Sequence, residues 1–313
     1  MAAPETTPGA ARTQLAVAGA RAATEGMFTA SSRDRARGAV FLALLLFGLA
    51  IALTGLAAIF VWTLVRAWPR LDLDLITNGP STLRPETAGF HTAILGSAYI
   101  IAGVIALIVP LGVGAAVYLE EYADNTRWWN RLIELNIQNL AAVPSIVFGI
   151  LGLGFIVRGP ISIGFVPAAA SLTIALLVLP TVILAAREAI RAVPPSIREG
   201  ALALGATPWQ AISRQVLPAA APGILTGVIL AVSRAIGEAA PLLLVGAVTF
   251  ATFDPSYFES GYTTLPTLVF NYATRPQEEL RTLAAAGAIL MLAFVLVMNS
   301  FAIWLRNRFE QRW

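Results

Sequence analysis

Charge is distributed so unevenly along this chain that its architecture is close to dictated. Residues 39–65, 87–119, 135–157, 159–186 and 282–305 contain no Asp, Glu, Lys or Arg. Each run exceeds the roughly 20 residues that a helix needs to cross the hydrocarbon core of a bilayer. A sixth apolar stretch, about 219–250, is interrupted only by Arg234 and Glu238. Because a helix satisfies its own backbone polar groups in lipid, the pattern predicts an all-α polytopic membrane protein with six transmembrane helices. A mean hydropathy of +0.74 with only 12% charged residues fits that class and excludes an ordinary soluble domain.

Residues 1–38 are rich in Ala, Thr, Ser and Arg and carry no apolar core of a signal peptide, so they are expected to form a disordered tail. A transit peptide is the alternative, and Glu5, Glu25 and Asp34 count against it. The six-helix domain is expected over 39–306, with outer loops at 67–91 and 251–281 and a short tail at 307–313. If the N-terminus is cytoplasmic, that side receives 14 arginines and the opposite side 6. The positive-inside rule therefore places both termini in the cytoplasm. The island Leu265–Phe270 in the second outer loop is too short to span, which leaves a re-entrant or interfacial segment or a buried loop anchor.

Missing residue types exclude several chemistries. All 21 basic residues are arginine, so the lysine of a P-loop is absent and the chain holds no ordinary nucleotide-hydrolysing site of that kind. With no cysteine and one histidine, His91, a thiol nucleophile, a zinc cluster and an HExxH site are all excluded. An intramembrane hydrolase is disfavoured for the same reason, and His91 reads as structural. The lack of lysine and abundance of alanine fit the codon bias of a GC-rich genome.

The segment after Arg187 carries readable punctuation. Pro194-Pro195 stops the preceding helix, and Ser196-Ile197-Arg198-Glu199 has the S-x-x-E spacing of a capping box, which predicts a short helix starting at Ser196. That helix is expected to end at Gly205, with Thr207-Pro208-Trp209-Gln210 starting a second as N-cap, N1 and N3. Leu217-Pro218 is then expected to close it before the next span. The product is a rigid cytoplasmic knob over 196–218 bearing Trp209. On the residues alone, a docking surface and a structural hairpin are both admissible, and Trp209 suits either an interface or the headgroup zone.

Arg234 and Glu238 stand out because an ionisable side chain near the bilayer centre costs roughly 2.5–3.5 kcal/mol on insertion scales and usually lines a polar pathway. Arg234 lies 16 residues beyond Pro218, about 24 Å along a helix and past the midplane. Four residues apart, the two side chains can bridge on one helix face and present a polar patch to the bundle interior. Their order is the weaker one for helix stabilisation, which argues for another purpose. A guanidinium donates paired hydrogen bonds to an oxyanion, while the glutamate can orient or restrain it. Gly237 removes bulk beside the pair and Pro241 can bend the helix. The structural alternative is a buried pair that only holds helices together. Asn299 and Ser300 in the sixth span could hydrogen-bond within the bundle.

Glu199-Gly200-Ala201, three residues, Gly205, nine residues and Gln215-Val216-Leu217-Pro218 resemble the EAA loop of ATP-binding-cassette importer permeases. Gly200 and Gln215 depart from that pattern. Arg234–Leu243, Tyr118–Tyr122, Val143–Gly149 and Leu265–Phe270 are similar to the phosphate-specific transport permeases, and the Ala-Pro-Leu-Leu ending resembles their PstA subunit more than PstC. The likeness covers roughly 90–305. It implies an ABC-type permease (MetI-like) fold in the bacterial cytoplasmic inner membrane, and a transport subunit that is not itself an enzyme. It implies a sister PstC-like permease, a homodimeric PstB-like ATPase that binds ATP and Mg, and a PstS-like phosphate-binding protein outside, with no cofactor in this chain and no nucleic-acid partner. Glu199, Gly200, Ala201, Gly205, Trp209, Leu217 and Pro218 would then couple to the ATPase, and Arg234, Gly237 and Glu238 would line the substrate pathway. An importer of sulfate, molybdate or phosphonate, or an ATPase-independent channel or scaffold, are the alternatives.

Overall fold

The computed structural model describes residues 32–124, 126–247 and 251–309. Most of the expected tail (1–31), the end of the sixth apolar stretch (248–250) and residues 310–313 lie outside them. The chain divides into a unit up to Trp62 and a unit from Thr63 onward. The first carries most of helix α1, Ser32–Ala67, whose 36 residues extend about 54 Å. The helix thus takes in residues 32–38, which composition had assigned to the tail. Its uncharged centre sets the length, and Asp34 near its start and Arg66 near its end complement the helix dipole.

The second unit is built from α2 (His91–Tyr122), α3 (Trp128–Ala141), α4 (Ser145–Val157), α5 (Pro167–Arg191), α6 (Pro195–Ala203), α7 (Pro208–Gly237), α8 (Ala240–Leu244), α9 (Leu265–Ala273) and α10 (Glu278–Phe309). Five helices are long and apolar enough to cross a membrane: α1, α2, α5, α7 and α10. A sixth crossing exists if α3 and α4 count as one, because they meet at 107°. The apolar run 135–157 therefore does not form the straight span expected of it. Ala142 and Val143 close α3 by bonding back to Asn139 and Leu140. Pro144 then takes an extended ψ of 137° and redirects the chain, because proline cannot continue the ladder.

α5 lies at the centre of this unit, packed against α2, α7, α3 and α4. Ile174, Leu177 and Val178 of α5 meet Ile100, Val104 and Ile108 of α2 and Ile224, Val228 and Val232 of α7 in one buried cluster. Gly223 and Gly227 of α7 face Ala189 and Ala185 of α5, so two residues spaced by four on each helix let the backbones approach closely. A side chain at Gly227 would collide with the Ala185 methyl. Gly227→Val is accordingly expected to destabilise the detergent-solubilised protein by about 1–3 kcal/mol, seen as a lower melting temperature.

A second cluster gathers Phe90, Leu265, Leu268, Tyr272, Leu280 and Leu283 around the outer loops. The Leu265–Phe270 island belongs to helix α9, packed against α10 and α2. Burial pushes the Tyr272 phenol up to about 12, so it stays protonated and pairs with the backbone of Ser81. Arg70 donates to the carbonyls of Pro85 and Ala88 and ties down the first outer loop.

Candidate functional site

The site predicted around Arg234 begins where α7 ends. Gly237 is its last residue, and Glu238 leaves the helix with an extended ψ of 111°. The expected i,i+4 ion pair forms, with Arg234 Nε 3.3 Å from Glu238 Oε1, but only Arg234 is helical. The chain restarts at once as α8 with Pro241 in its first turn, so the bend expected at Pro241 falls earlier, at Glu238-Ala239.

The direction in which Arg234 points also differs from expectation. Ala231, Val232, Ala235 and Ile236 are buried, and these side chains seat α7 in the core. Leu230, Arg234 and Gly237 share the opposite face, and the Arg234 side chain is 42% exposed. Arg234 therefore faces away from this subunit's own interior, while the Glu238 side chain, 17% exposed, is largely covered. Among the described residues the pair bridges no second helix of this chain. A Cβ on Gly237 would meet nothing, so within this chain its bareness leaves space rather than making room for a neighbour. Beside Arg234, the Ser233 hydroxyl reaches Asn299 Oδ1 on α10 at 2.7 Å. Asn299 thus serves within the bundle, while Ser300 is exposed.

Three of the four motifs quoted above converge here. Gly149 of α4 lies under Pro241 of α8, where a Cβ would come within 2.7 Å of the Pro241 Cα, and α8 also touches α9. The fourth, Tyr118–Tyr122, sits at the far end of α2.

At the other end, α6 and the start of α7 form the expected knob. Gly205 takes a φ of +85°, with Ala206 N–H donating to Ala201 O at 3.1 Å and Gly205 N–H to Leu202 O at 2.9 Å. This is a Schellman turn, which uses glycine because a Cβ is strained there. Thr207 and Gln210 make both bonds of a capping box. Two details differ. α6 starts one residue early, at Pro195, so Pro194 occupies the cap position and Ser196 makes no cap bond; proline's fixed φ suits the first helical position better. Leu217-Pro218 does not end the second helix, which continues without a break to Gly237. A π-turn over Ile212–Val216 widens the helix just before Pro218, the kind of insertion that re-routes backbone bonds where a proline supplies no N–H.

The knob presents large apolar side chains beside polar ones. Leu204 is 92% and Trp209 57% exposed, Glu199 is exposed, and α6 buries none of its residues. Both departures from the EAA pattern, Gly200 and Gln215, are also exposed, so neither weakens packing within the chain.

Between knob and bundle lies a charge network that sequence reasoning did not assemble. Arg187, 6% exposed, bonds Glu120 at 2.6 Å and Glu134 at 3.1 Å, and Arg191 bonds Glu120 at 2.8 Å. Arg198 of α6 bonds Glu121 at 2.6 Å. The available signal was the adjacent pair Glu120-Glu121 directly after an apolar run, with arginines four apart at the end of another.

Residues 108–313 match the family described as binding-protein-dependent transport system inner membrane component. The phosphate transport system permease protein PstA of Haemophilus influenzae is 35% identical over 253 residues, spanning 80% of this chain and 87% of that protein. The probable ABC transporter permease protein YqgI of Bacillus subtilis is 30% identical over 274 residues, spanning 83% and 92%. Among solved structures, a chain of a bacterial ABC transporter importing alginate superposes with a TM-score of 0.62 at 15% identity, covering 89% of this chain and 99% of that one. A chain of the inward-facing MetNI methionine ABC transporter gives 0.54 at 19% identity, covering 70% and 97%. These structural likenesses establish an ABC-permease fold of the MetI type, and with the match over 108–313 the chain belongs to the family of binding-protein-dependent transport system inner membrane components.

Proposed function

We propose that this chain is the PstA-type permease subunit of an ATP-driven inorganic phosphate importer and forms one half of its translocation pathway. The observation that carries the proposal is the placement of Arg234. A guanidinium at the outer end of a membrane helix, turned away from its own subunit's core, needs a second wall to enclose it. A sister PstC-like permease supplies that wall and further donors, since one arginine balances a divalent anion poorly. Arg234 holds phosphate by paired charge-assisted bonds, and Glu238 limits that hold so the anion is released.

A PstS-like binding protein delivers phosphate to the outer face, and the arginine asymmetry puts both termini and the knob in the cytoplasm. The exposed Leu204, Trp209 and Glu199 dock a homodimeric PstB-like ATPase, which binds ATP and Mg. The names of the relatives support phosphate as the cargo. Arginine chemistry alone also admits sulfate, molybdate or phosphonate. Labelled-phosphate uptake with sulfate competition, in a strain lacking this chain, separates them. Loss of phosphate uptake with sulfate uptake unchanged is expected, and the reverse outcome would assign a different oxyanion.

A further inference from the structure

α6 is attached to the bundle in an unusual way. None of its residues is buried, yet Arg198, in its first turns, uses its whole guanidinium on the bundle. Nε and Nη2 both reach Glu121 Oε1, at 2.9 and 2.6 Å. Nη1 donates to Val193 O at 3.2 Å and Nη2 to Ile190 O at 3.0 Å. Ile190 O lies in the last turn of α5 and Val193 O in the link just beyond it, where a cation is favoured. Glu121 is only 10% exposed, so its pairing is partly shielded from solvent and stronger than a surface pair.

Glu121 sits in the π-turn Tyr118–Tyr122 that ends α2. The wider turn sends neighbouring carboxylates to different elements: Glu120 to Arg187 and Arg191 of α5, Glu121 to α6. From there α2 runs 32 residues, about 48 Å, to the outer segment. At that end Thr92 Oγ1 donates to Ala251 O at 2.9 Å, and Ser97 Oγ accepts from the Leu265 N–H, at the start of α9, at 2.9 Å. Gly96 admits the Thr263 backbone at a distance that a side chain would forbid. One helix therefore holds the knob at one end and the outer loop with α9 at the other.

We propose that Glu121 is a positioning residue for transport: the Glu121–Arg198 joint fixes α6 to α2, and α2 carries ATPase-driven movement of the knob to the outer segment 251–273. The proposal rests on the docking role of the knob given above. The test is the ratio of phosphate accumulated to ATP hydrolysed, in proteoliposomes holding the whole transporter purified through this chain, for Glu121→Gln, Arg198→Gln and both together. Each single variant should keep its ATPase attached and lower the ratio by about 10-fold, within the usual range of coupling between sites. The double variant should lose no more than either single one, because both remove the same joint. A wild-type ratio in either single variant, or losses that multiply, would overturn the proposal. Should the glutamine variants fail to assemble, Glu121→Asp keeps the charge and retracts it by one methylene, and a wild-type ratio there overturns it equally. A wrong docking assignment gives a different result, with Glu199→Arg leaving the ATPase attached and coupled.

Discussion

Arg234→Gln is expected to lower phosphate uptake by about 100-fold or more in a transporter that still assembles. Losing one partner of a desolvated charge contact costs about 2–5 kcal/mol, and about 2.8 kcal/mol is a factor of 100. Assembly should survive because, among the described residues, Arg234 bonds Glu238 of its own segment, while Ala231, Val232, Ala235 and Ile236 do the packing. Glutamine keeps most of the length and some hydrogen bonding, so the loss reports on charge. Arg234→Lys should fall between, since an ammonium keeps the charge without the planar fork. Uptake near the wild-type rate in Arg234→Gln, measured in cells that contain the variant at normal levels, would remove this residue from the pathway.

Glu199→Arg is expected to detach or uncouple the ATPase with little effect on the chain itself. The side chain is exposed, and a substitution at such a site changes stability by only about 0.5 kcal/mol. An interface carboxylate replaced by the opposite charge meets repulsion as well as a lost bond. The cost of about 2 kcal/mol or more lowers attachment by about 30-fold. Co-purification of the ATPase with the variant and ATP-driven uptake are the two measurements. If both stay at wild-type levels, the knob is a structural hairpin.

What the sequence made legible follows from the range of each signal. Charge segregation located the apolar segments because a charge in lipid is costly wherever it falls. Gly205 and the Thr207–Gln210 box were legible because helix ends are written within four or five residues. The bend at Pro144 was not, since the uncharged run 135–157 specifies apolarity and carries no direction. Pro218 misled because the π-turn that accommodates it has no composition of its own. The outward face of Arg234 emerged only once Ala235 and Ile236 were seen buried. The Glu121–Arg198 bond joins residues 77 apart, a pairing created by the packing of α2 beside α5 and invisible to local spacing.

An outward-turned arginine beside α8 and an exposed knob lie at the two ends of α7, which packs against α5 and α2. The central claim is that the chain completes an ATP-driven pathway for phosphate. Proteoliposomes containing the transporter purified through this chain, supplied with labelled phosphate, the binding protein and ATP, measure it directly. ATP-dependent phosphate accumulation against its gradient, undiminished by excess sulfate, is the expected result. Phosphate flux that proceeds equally without ATP, or accumulation of sulfate in place of phosphate, would contradict it.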